Sequence, residues 1–469
     1  MDSAHRRERA RVAPARARSR HALVAIAAGL ALLALIPAAA LLVGGEEISD
    51  GPNIVLIISD DQRDDTLGVM DQTRRRVAHR GVDFENGIVT TPLCCPSRVS
   101  IMTGQYVHNH RVLKNRDAPG APQQHMIAAE LNRVGYFNGL YGKYLNNWPQ
   151  GRPPANYDEY ELGYGPAGGY EGKGEGRERA DDWLAKKGEK FIERREDDDD
   201  DRPFLLVLSA RSPHNPLNVP NRYQDARVPK LEMPPSFKES DLSDKPAEAV
   251  TKALKTRQRF AERGGFEKVV KSIVERQQRL LLSLDDMVGT TMDALDAAGE
   301  ADDTLVFYIS DNGVFWGEHG FVQKTRAYPE GVEVPLLMRW PAELEPEVND
   351  QTIAANIDIA PTIYEAAGIE PDYEVDGRSL LGDRERRWSY IEKWTGAGST
   401  RGIFIPGEEQ YLENRSRGGH LKSREYYDLE ADPYELENLI DTPAEPTERV
   451  AELERMTVAA ADCVGRSCP

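Results

Sequence analysis

Three short runs of unbroken apolar residues stand out along the chain: Asn53-Ile-Val-Leu-Ile-Ile-Ser59, Phe204-Leu-Leu-Val-Leu-Ser209 and Thr304-Leu-Val-Phe-Tyr-Ile-Ser310. A strand covered on both faces has no polar side to display, so such runs predict buried strands of an α/β sheet. Each leads into polar chemistry. Asp60-Asp61 follows the first, Ser212-Pro213-His214 lies just beyond the second, and Asp311-Asn312 follows the third. Open α/β sheets bind ligands outside the carboxyl ends of their strands. The three runs are therefore expected to deliver carboxylates, an amide and an imidazole to one sheet edge. Elsewhere the apolar period changes to that of a helix. Phe266, Val270, Ile273, Leu280, Leu284, Met287, Val288, Met292 and Leu295 predict one long amphipathic helix, stopped by Gly299.

After Asp376-Gly-Arg-Ser-Leu380 the pattern shifts to short segments rich in Trp, Tyr and Arg, then a final helix from about Pro446 to Ala461. We place a boundary near residue 385. Residues 50–385 form a large α/β domain whose mixed, mostly parallel sheet is sandwiched by helices, and 386–469 form a smaller α+β subdomain. Gly163 to Gly176 reads as a flexible connection or a substrate-side loop. The acidic run from Arg194 to Arg202 lacks the spaced ligands and glycine turn of a calcium loop and predicts a solvated loop. No internal repeat is visible.

Residues 1–45 have a different character. Seven arginines stand against Asp2 and Glu8 up to His21, and Ala22 to Val43 then run without a charge. This is the layout of a secretory signal peptide, with Pro37-Ala-Ala-Ala40 as a cleavage site, or of a single amino-terminal membrane anchor. Either sends the chain out of the cytoplasm, secreted or held at the cell envelope. The net charge of −19 argues against nucleic acid or anionic membrane surfaces as partners. Of the four cysteines, Cys463 and Cys468 suit a small disulfide loop in an exported chain. Cys94 and Cys95 remain, side by side.

Asp60, Asp61, Asp311 and Asn312 are hard oxygen donors, and three converging carboxylates repel unless a cation sits among them. Calcium accepts such a mixture, whereas magnesium keeps more water. The plainer alternative is that each pair caps a turn or helix.

Cys94-Cys-Pro-Ser-Arg98, followed by Ile101-Met-Thr-Gly104, resembles the signature of the sulfatase family. In that family the first cysteine is oxidised to formylglycine by a formylglycine-generating enzyme. Further matches run in the family's order: Asp60-Asp61-Gln62, Gly142-Lys143, Ser212-Pro-His-Asn-Pro216, Ser310-Asp-Asn-Gly313, His319-Gly320 with Lys324, and Asp432-Pro-Tyr-Glu-Leu-Glu-Asn438. The resemblance implies an alkaline phosphatase-like fold and hydrolysis of sulfate monoesters. It places Asp60, Asp61, Asp311, Asn312 and the modified Cys94 on calcium. It assigns Arg98 to the hydrated aldehyde, Lys143 and Lys324 to the sulfate, His214 to the leaving oxygen, and Asp311 to activation of the attacking hydroxyl. An aldehyde hydrate suits the chemistry: one hydroxyl attacks sulfur, and proton loss from the other expels sulfate as the aldehyde re-forms. Cys95 reads as a packed neighbour.

One position departs from the family. Many sulfatases continue Gly-Lys-Trp-His, but this chain has Gly142-Lys143-Tyr144-Leu145-Asn146, and leucine moves no proton. The same stretch, with Tyr106-Val-His-Asn-His110, is similar to N-acetylglucosamine-6-sulfatases and heparan 6-O-endosulfatases. That likeness implies a sulfated carbohydrate or aryl sulfate substrate, and a sugar site lined by His108, His110 and Asn115 or, equally, structural roles for the two histidines. The rival readings are a phosphonate or phosphate monoester hydrolase of the same superfamily and a non-catalytic glycan-binding envelope protein.

Overall fold

The computed structural model describes residues 50–163, 180–197, 200, 202–382 and 385–469. The basic and apolar amino-terminal stretch, nearly all of the glycine-rich segment and part of the acidic run lie outside the described residues. Among the described residues no helix is long and apolar enough to cross a membrane.

The main sheet has eight strands: β1 (Asn53–Asp60), β2 (Val82–Phe84), β3 (Phe137–Gly142), β4 (Glu159–Leu162), β5 (Phe204–Pro213), β6 (Thr304–Ser310), β7 (Leu336–Arg339) and β8 (Glu347–Asn349). Their order is β8-β2-β7-β6-β1-β5-β3-β4. Of the pairings, only those of β7 with β6 and β2 are antiparallel. The three apolar runs are thus central neighbours. β1 lies between β5 and β6, parallel to both, with Ile58 paired to Ser209 and Ser59 to Ser310. This register brings the three strand ends level and sets their polar continuations on one edge.

Alternation along β1 explains why both of its faces are apolar. Ile54, Leu56 and Ile58 enter one core, with Val99 and Ile101, while Val55 and Ile57 enter the other, with Leu184, Phe191 and Met287. Burying an aliphatic side chain of this size contributes about 1.5–3 kcal/mol. The first core is covered by α1 (Cys94–Thr103), the second by α2 (Ala180–Asp197), and further along the chain come α3 (Ala247–Ala261), α4 (Phe266–Ala298) and α5 (Ile359–Ala366). The long amphipathic helix is α4, on the second face. It stops at Gly299, whose φ of 76° is a left-handed cap that costs glycine nothing.

The carboxyl-terminal segment forms a four-stranded antiparallel meander, β9 (Ser389–Trp394), β10 (Gly398–Ile405), β11 (Glu409–Ser416) and β12 (Leu421–Asp428), followed by α6 (Thr447–Ala460). Tyr390, Phe404 and Tyr411 share the first core with α1 and β1. Arg386 donates to Asp358 at 2.8 Å from a fully enclosed position, tying the segment to the start of α5. A disulfide joins Cys463 to Cys468. The architecture is the expected one, a mostly parallel sheet between helical layers with a smaller antiparallel sheet beside it.

Candidate active site

Asp60, Asp61, Cys94 and Asp311 are all buried, and each offers an atom within 4.8 Å of the others. Asp60 ends β1 and Asp311 follows β6, whose amide at Asp311 donates to the Ser59 carbonyl at 3.1 Å. Successive strand residues face opposite sides of a sheet, yet Asp60 and Asp61 both reach the site. Asp61 achieves this with φ 66°, a left-handed conformation that costs a non-glycine residue about 1 kcal/mol or more and that concentrates at functional sites. Asn312 donates to Asp61 Oδ1 at 2.7 Å and to the Gly313 carbonyl at 2.9 Å. Its own Oδ1 is buried and, among the described residues, accepts no hydrogen bond.

Cys94 opens α1. With Pro96 in the first turn, where a missing N–H costs nothing, Arg98 falls one turn on. Cys94 Sγ lies 3.7 Å from Asp60 Oδ1. Burial pushes its thiol up to about 11, against the pull of Lys143 and Lys324. An unmodified Cys94 is therefore a neutral thiol near pH 7 and a poor nucleophile.

Three cations interleave with the carboxylates. Lys143 donates to Asp60 at 2.5 Å and lies 3.4 Å from Asp311. Lys324 pairs with Asp61 and lies 2.7 Å from Cys94 Sγ. Arg98 donates to Asp311 at 2.6 Å and to the Lys143 carbonyl at 3.1 Å. Burial alone would raise the Asp60 carboxyl, but Lys143 above all, then His214, Lys324 and Arg98, hold it well below the usual range. Burial likewise opposes charge on Lys143 and Lys324, and the carboxylates beside them override it.

His214 follows β5. Its Nδ1 is 2.6 Å from the Asn215 carbonyl, which turns Nε2 to within 3.7 Å of Asp61 Oδ2. At 26% side-chain exposure it stands at the mouth, where a cavity of about 450 Å³ is lined by Asp61, His214, Lys252, Arg259 and Lys324.

The donor set fits a divalent cation of hard character. Three carboxylates converge from two strand ends, the Asn312 side chain bonds one of them, and its own orphaned amide oxygen is a buried acceptor that is costly unless something completes it. The carboxylates and the three cations balance, so a bound divalent ion leaves a net positive pocket for an anion.

Other expected positions lie elsewhere. Leu145 is packed in the first core, and the Asn146 amide donates to Cys95 Sγ at 2.8 Å, so Asn146 serves Cys95 rather than Cys94. Of the two readings of His108 and His110, the structure supports the structural one over a sugar-lining role. His108 is buried between Glu392 and the Cys463 carbonyl, and His110, driven down to about 3 by burial, bonds Ser100. Asn115 accepts from the Cys95 N–H, capping α1. Two features escaped the sequence reading. Ser209, which receives Arg98 and donates to the Lys143 carbonyl, closes the apolar run of β5 as Ser59 and Ser310 close theirs, and was visible as a third serine of that kind. Lys252 and Arg259 come from α3, which carries no motif.

A family model described as "Sulfatase" matches residues 52–369. The extracellular sulfatase SULF-1 homolog of Drosophila melanogaster is 28% identical over 352 residues, 70% of this chain and 31% of that protein. The N-acetylglucosamine-6-sulfatase of Capra hircus is 29% identical over 372 residues, 72% of this chain and 64% of that protein. The chain thus spans less than two thirds of either relative. A solved structure in complex with its substrate D-glucosamine-2-N,6-O-disulfate superposes with a TM-score of 0.71 at 21% identity, covering 87% of this chain and 97% of that one. A phosphonate monoester hydrolase from Silicibacter pomeroyi gives 0.70 at 22%, covering 87% and 94%. At these identities the superpositions speak for the alkaline phosphatase-like fold alone. The family match covers well over half of the chain, from the start of β1 to just past α5, and on that match the chain belongs to the sulfatase family.

Proposed function

We propose that this chain is a sulfuric ester hydrolase acting on sulfate monoesters of a sulfated sugar, of the 6-sulfated amino-sugar kind named for its relatives. The observation that carries the reading is the meeting of Cys94 with Asp60, Asp61, Asp311 and Asn312 among three buried cations. Cys94, oxidised to formylglycine by a dedicated generating enzyme, supplies a hydrated aldehyde as nucleophile, and calcium on those four donors supplies charge stabilisation.

The remaining work falls to the chain. Lys143 and Lys324 hold the sulfate oxygens, with charge that burial makes effective over short range. Arg98 spans Asp311, Ser209 and the Lys143 carbonyl, and so fixes the orientation of the group at Cys94. Asp311 accepts the proton of the attacking hydroxyl. His214 Nε2, at the mouth, gives a proton to the leaving sugar oxygen, its ring oriented by the Asn215 carbonyl. Leu145 and Asn146 take no part.

In this reading residues 50–385 carry the catalytic groups and 386–469 form a wall beside them, and the protein acts outside the cytoplasm, as the extracellular relatives support. Release of inorganic sulfate from N-acetylglucosamine 6-sulfate, compared with paired aryl sulfate and aryl phosphate esters, tests the reading. Sulfate release exceeding phosphate release is expected; the reverse ratio favours a phosphorus ester hydrolase, and no turnover by protein carrying the aldehyde would refute the proposal.

A further inference from the structure

A second cavity, of about 190 Å³, opens between the amino-terminal end of α3 and the β9–β12 sheet. Its lining is cationic, in a chain of net charge −19. Lys393 on β9, Arg326, Lys422 and Arg415 border it, with Glu248 as the lining carboxylate. Arg415 is paired with Glu413 at 2.8 Å. Lys393 is the anomaly. It is 5% exposed, and among the described residues its ammonium has neither a hydrogen bond nor an ion pair. Its stem is packed away from water and its ammonium faces the cavity, so the cavity is where a direct anionic partner for it would sit. Arg326 Nε is also buried with no acceptor. Burial, with Arg326 and Lys252 nearby, pushes the Lys393 amine down to about 7, against Glu248 and Glu425.

The rest of the wall suits an oxyanion. Thr395, Ser399 and Thr400 bring hydroxyls. Pro246, the residue preceding α3, has no side chain to accept from the first amides of the helix, and it too lines the cavity. Helix amino termini carry partial positive charge.

α3 joins this cavity to the active-site mouth. Glu248 lines one and Lys252 the other, a single turn of about 5.4 Å apart along the helix. Lys252 donates to Thr325 Oγ1 at 3.0 Å, and on either side of Thr325, Lys324 lines the mouth and Arg326 the second cavity.

We infer that this cavity binds a second oxyanion, a sulfate or carboxylate on a sugar neighbouring the one whose ester is cleaved, so that the substrate is a polyanionic glycan. The inference rests on the sulfatase reading, and its test separates the two. In the full chain, Lys393→Met is expected to raise KM for a heparin-derived disaccharide bearing sulfates and a carboxylate by about tenfold, the loss of one well-placed ion pair. The kcat/KM for 4-nitrophenyl sulfate, which carries no second anion, stays within about twofold. Arg326→Gln acts in the same direction and serves if the first variant folds poorly. Wild-type affinity for the disaccharide falls above pH 7 by up to about tenfold per pH unit, because the anion then binds together with a proton on Lys393, and Lys393→Met flattens that profile.

Calorimetric titration of the disaccharide into Cys94→Ala protein, with and without Lys393→Met, reads binding without turnover. If the sulfatase reading fails, turnover is absent but the Lys393-dependent binding remains. If the cavity reading fails, turnover persists and the affinities match. A Lys393-dependent affinity for sodium sulfate alone, with none for the disaccharide, would overturn the assignment to the substrate chain. Equal KM and equal binding in wild type and both variants would overturn the inference entirely.

Discussion

The Lys324 ammonium lies 2.7 Å from Cys94 Sγ, while Asp60 Oδ1 is 3.7 Å from the same sulfur. A cation and a carboxylate thus flank the first side chain of α1 at the edge where β1 and β6 end. Burial pushes a thiol there up to about 11, which leaves it a poor nucleophile near pH 7. The position makes sense as the seat of a group that reacts once it is no longer a thiol.

Cys94→Ala is expected to abolish sulfate release while shifting the melting midpoint little. Cys95→Ala should retain turnover but lose about 1 kcal/mol of stability, because the Asn146 amide loses its acceptor. The sequence alone read Cys95 as a packed neighbour; the hydrogen bond adds a cost in stability. Sulfate release and thermal unfolding on both variants check the pair, and comparable losses of turnover would contradict the assignment.

Chelation should lower stability as well as activity. With calcium at about 100 times its dissociation constant, binding to the native state alone contributes about 2.7 kcal/mol and raises the midpoint by a few degrees. Asn312→Ala removes the orphaned amide oxygen and should weaken that calcium-dependent rise. An identical rise in the variant would remove Asn312 from the ligand set.

His214→Ala should depend on the leaving group. A sugar alkoxide needs a proton as the ester bond breaks, so turnover of a sugar sulfate is expected to fall by about 10²–10⁴. The 4-nitrophenolate ion departs unaided, and its ester should lose far less. Equal losses on both esters would assign His214 to binding.

The lysine-bearing loop has its own anchor. His319 is fully enclosed, with Nδ1 2.7 Å from Glu239 and Nε2 3.6 Å from Glu435. Burial would lower its pKa, but the hydrogen bond to Glu239 and the charge of the nearby Glu435 and Glu330 carboxylates prevail and raise it to about 10. Because the folded value lies above the unfolded one, near 6.5, this stabilisation is complete below about pH 6.5 and fades as pH rises toward 10. His319→Ala leaves the enclosed Glu435 unpaired, while Glu239 keeps Lys245 at 3.9 Å, and should cost about 3–5 kcal/mol. Unfolding midpoints measured from pH 6 to 10 should converge between wild type and variant, and a constant gap would contradict the role.

Much of this arrangement was legible in the sequence, for a physical reason. β1, β5 and β6 are covered on both faces, so their apolar runs announced them and their polar continuations marked the site edge. α4 showed its period and its glycine stop. Cys94, Arg98, Lys143, His214, Asp311 and Lys324 were readable through motif order, because each stands at a strand end, a helix start or a tight loop. What escaped depends on contacts distant in sequence. Lys252 and Arg259 gain meaning only when α3 folds against the mouth, and Lys393 only when β9 closes on α3. His108 and His110 stayed open between sugar-lining and structural roles for the same reason, and only the contacts of Glu392, the Cys463 carbonyl and Ser100 decide for the structural one.

The mass of the peptide containing Cys94, measured on protein made in a host with a formylglycine-generating enzyme, tests the central claim most directly. An aldehyde in place of the thiol is predicted, with sulfate release proportional to the fraction converted across preparations. Full activity in protein whose Cys94 remains an intact thiol would contradict it.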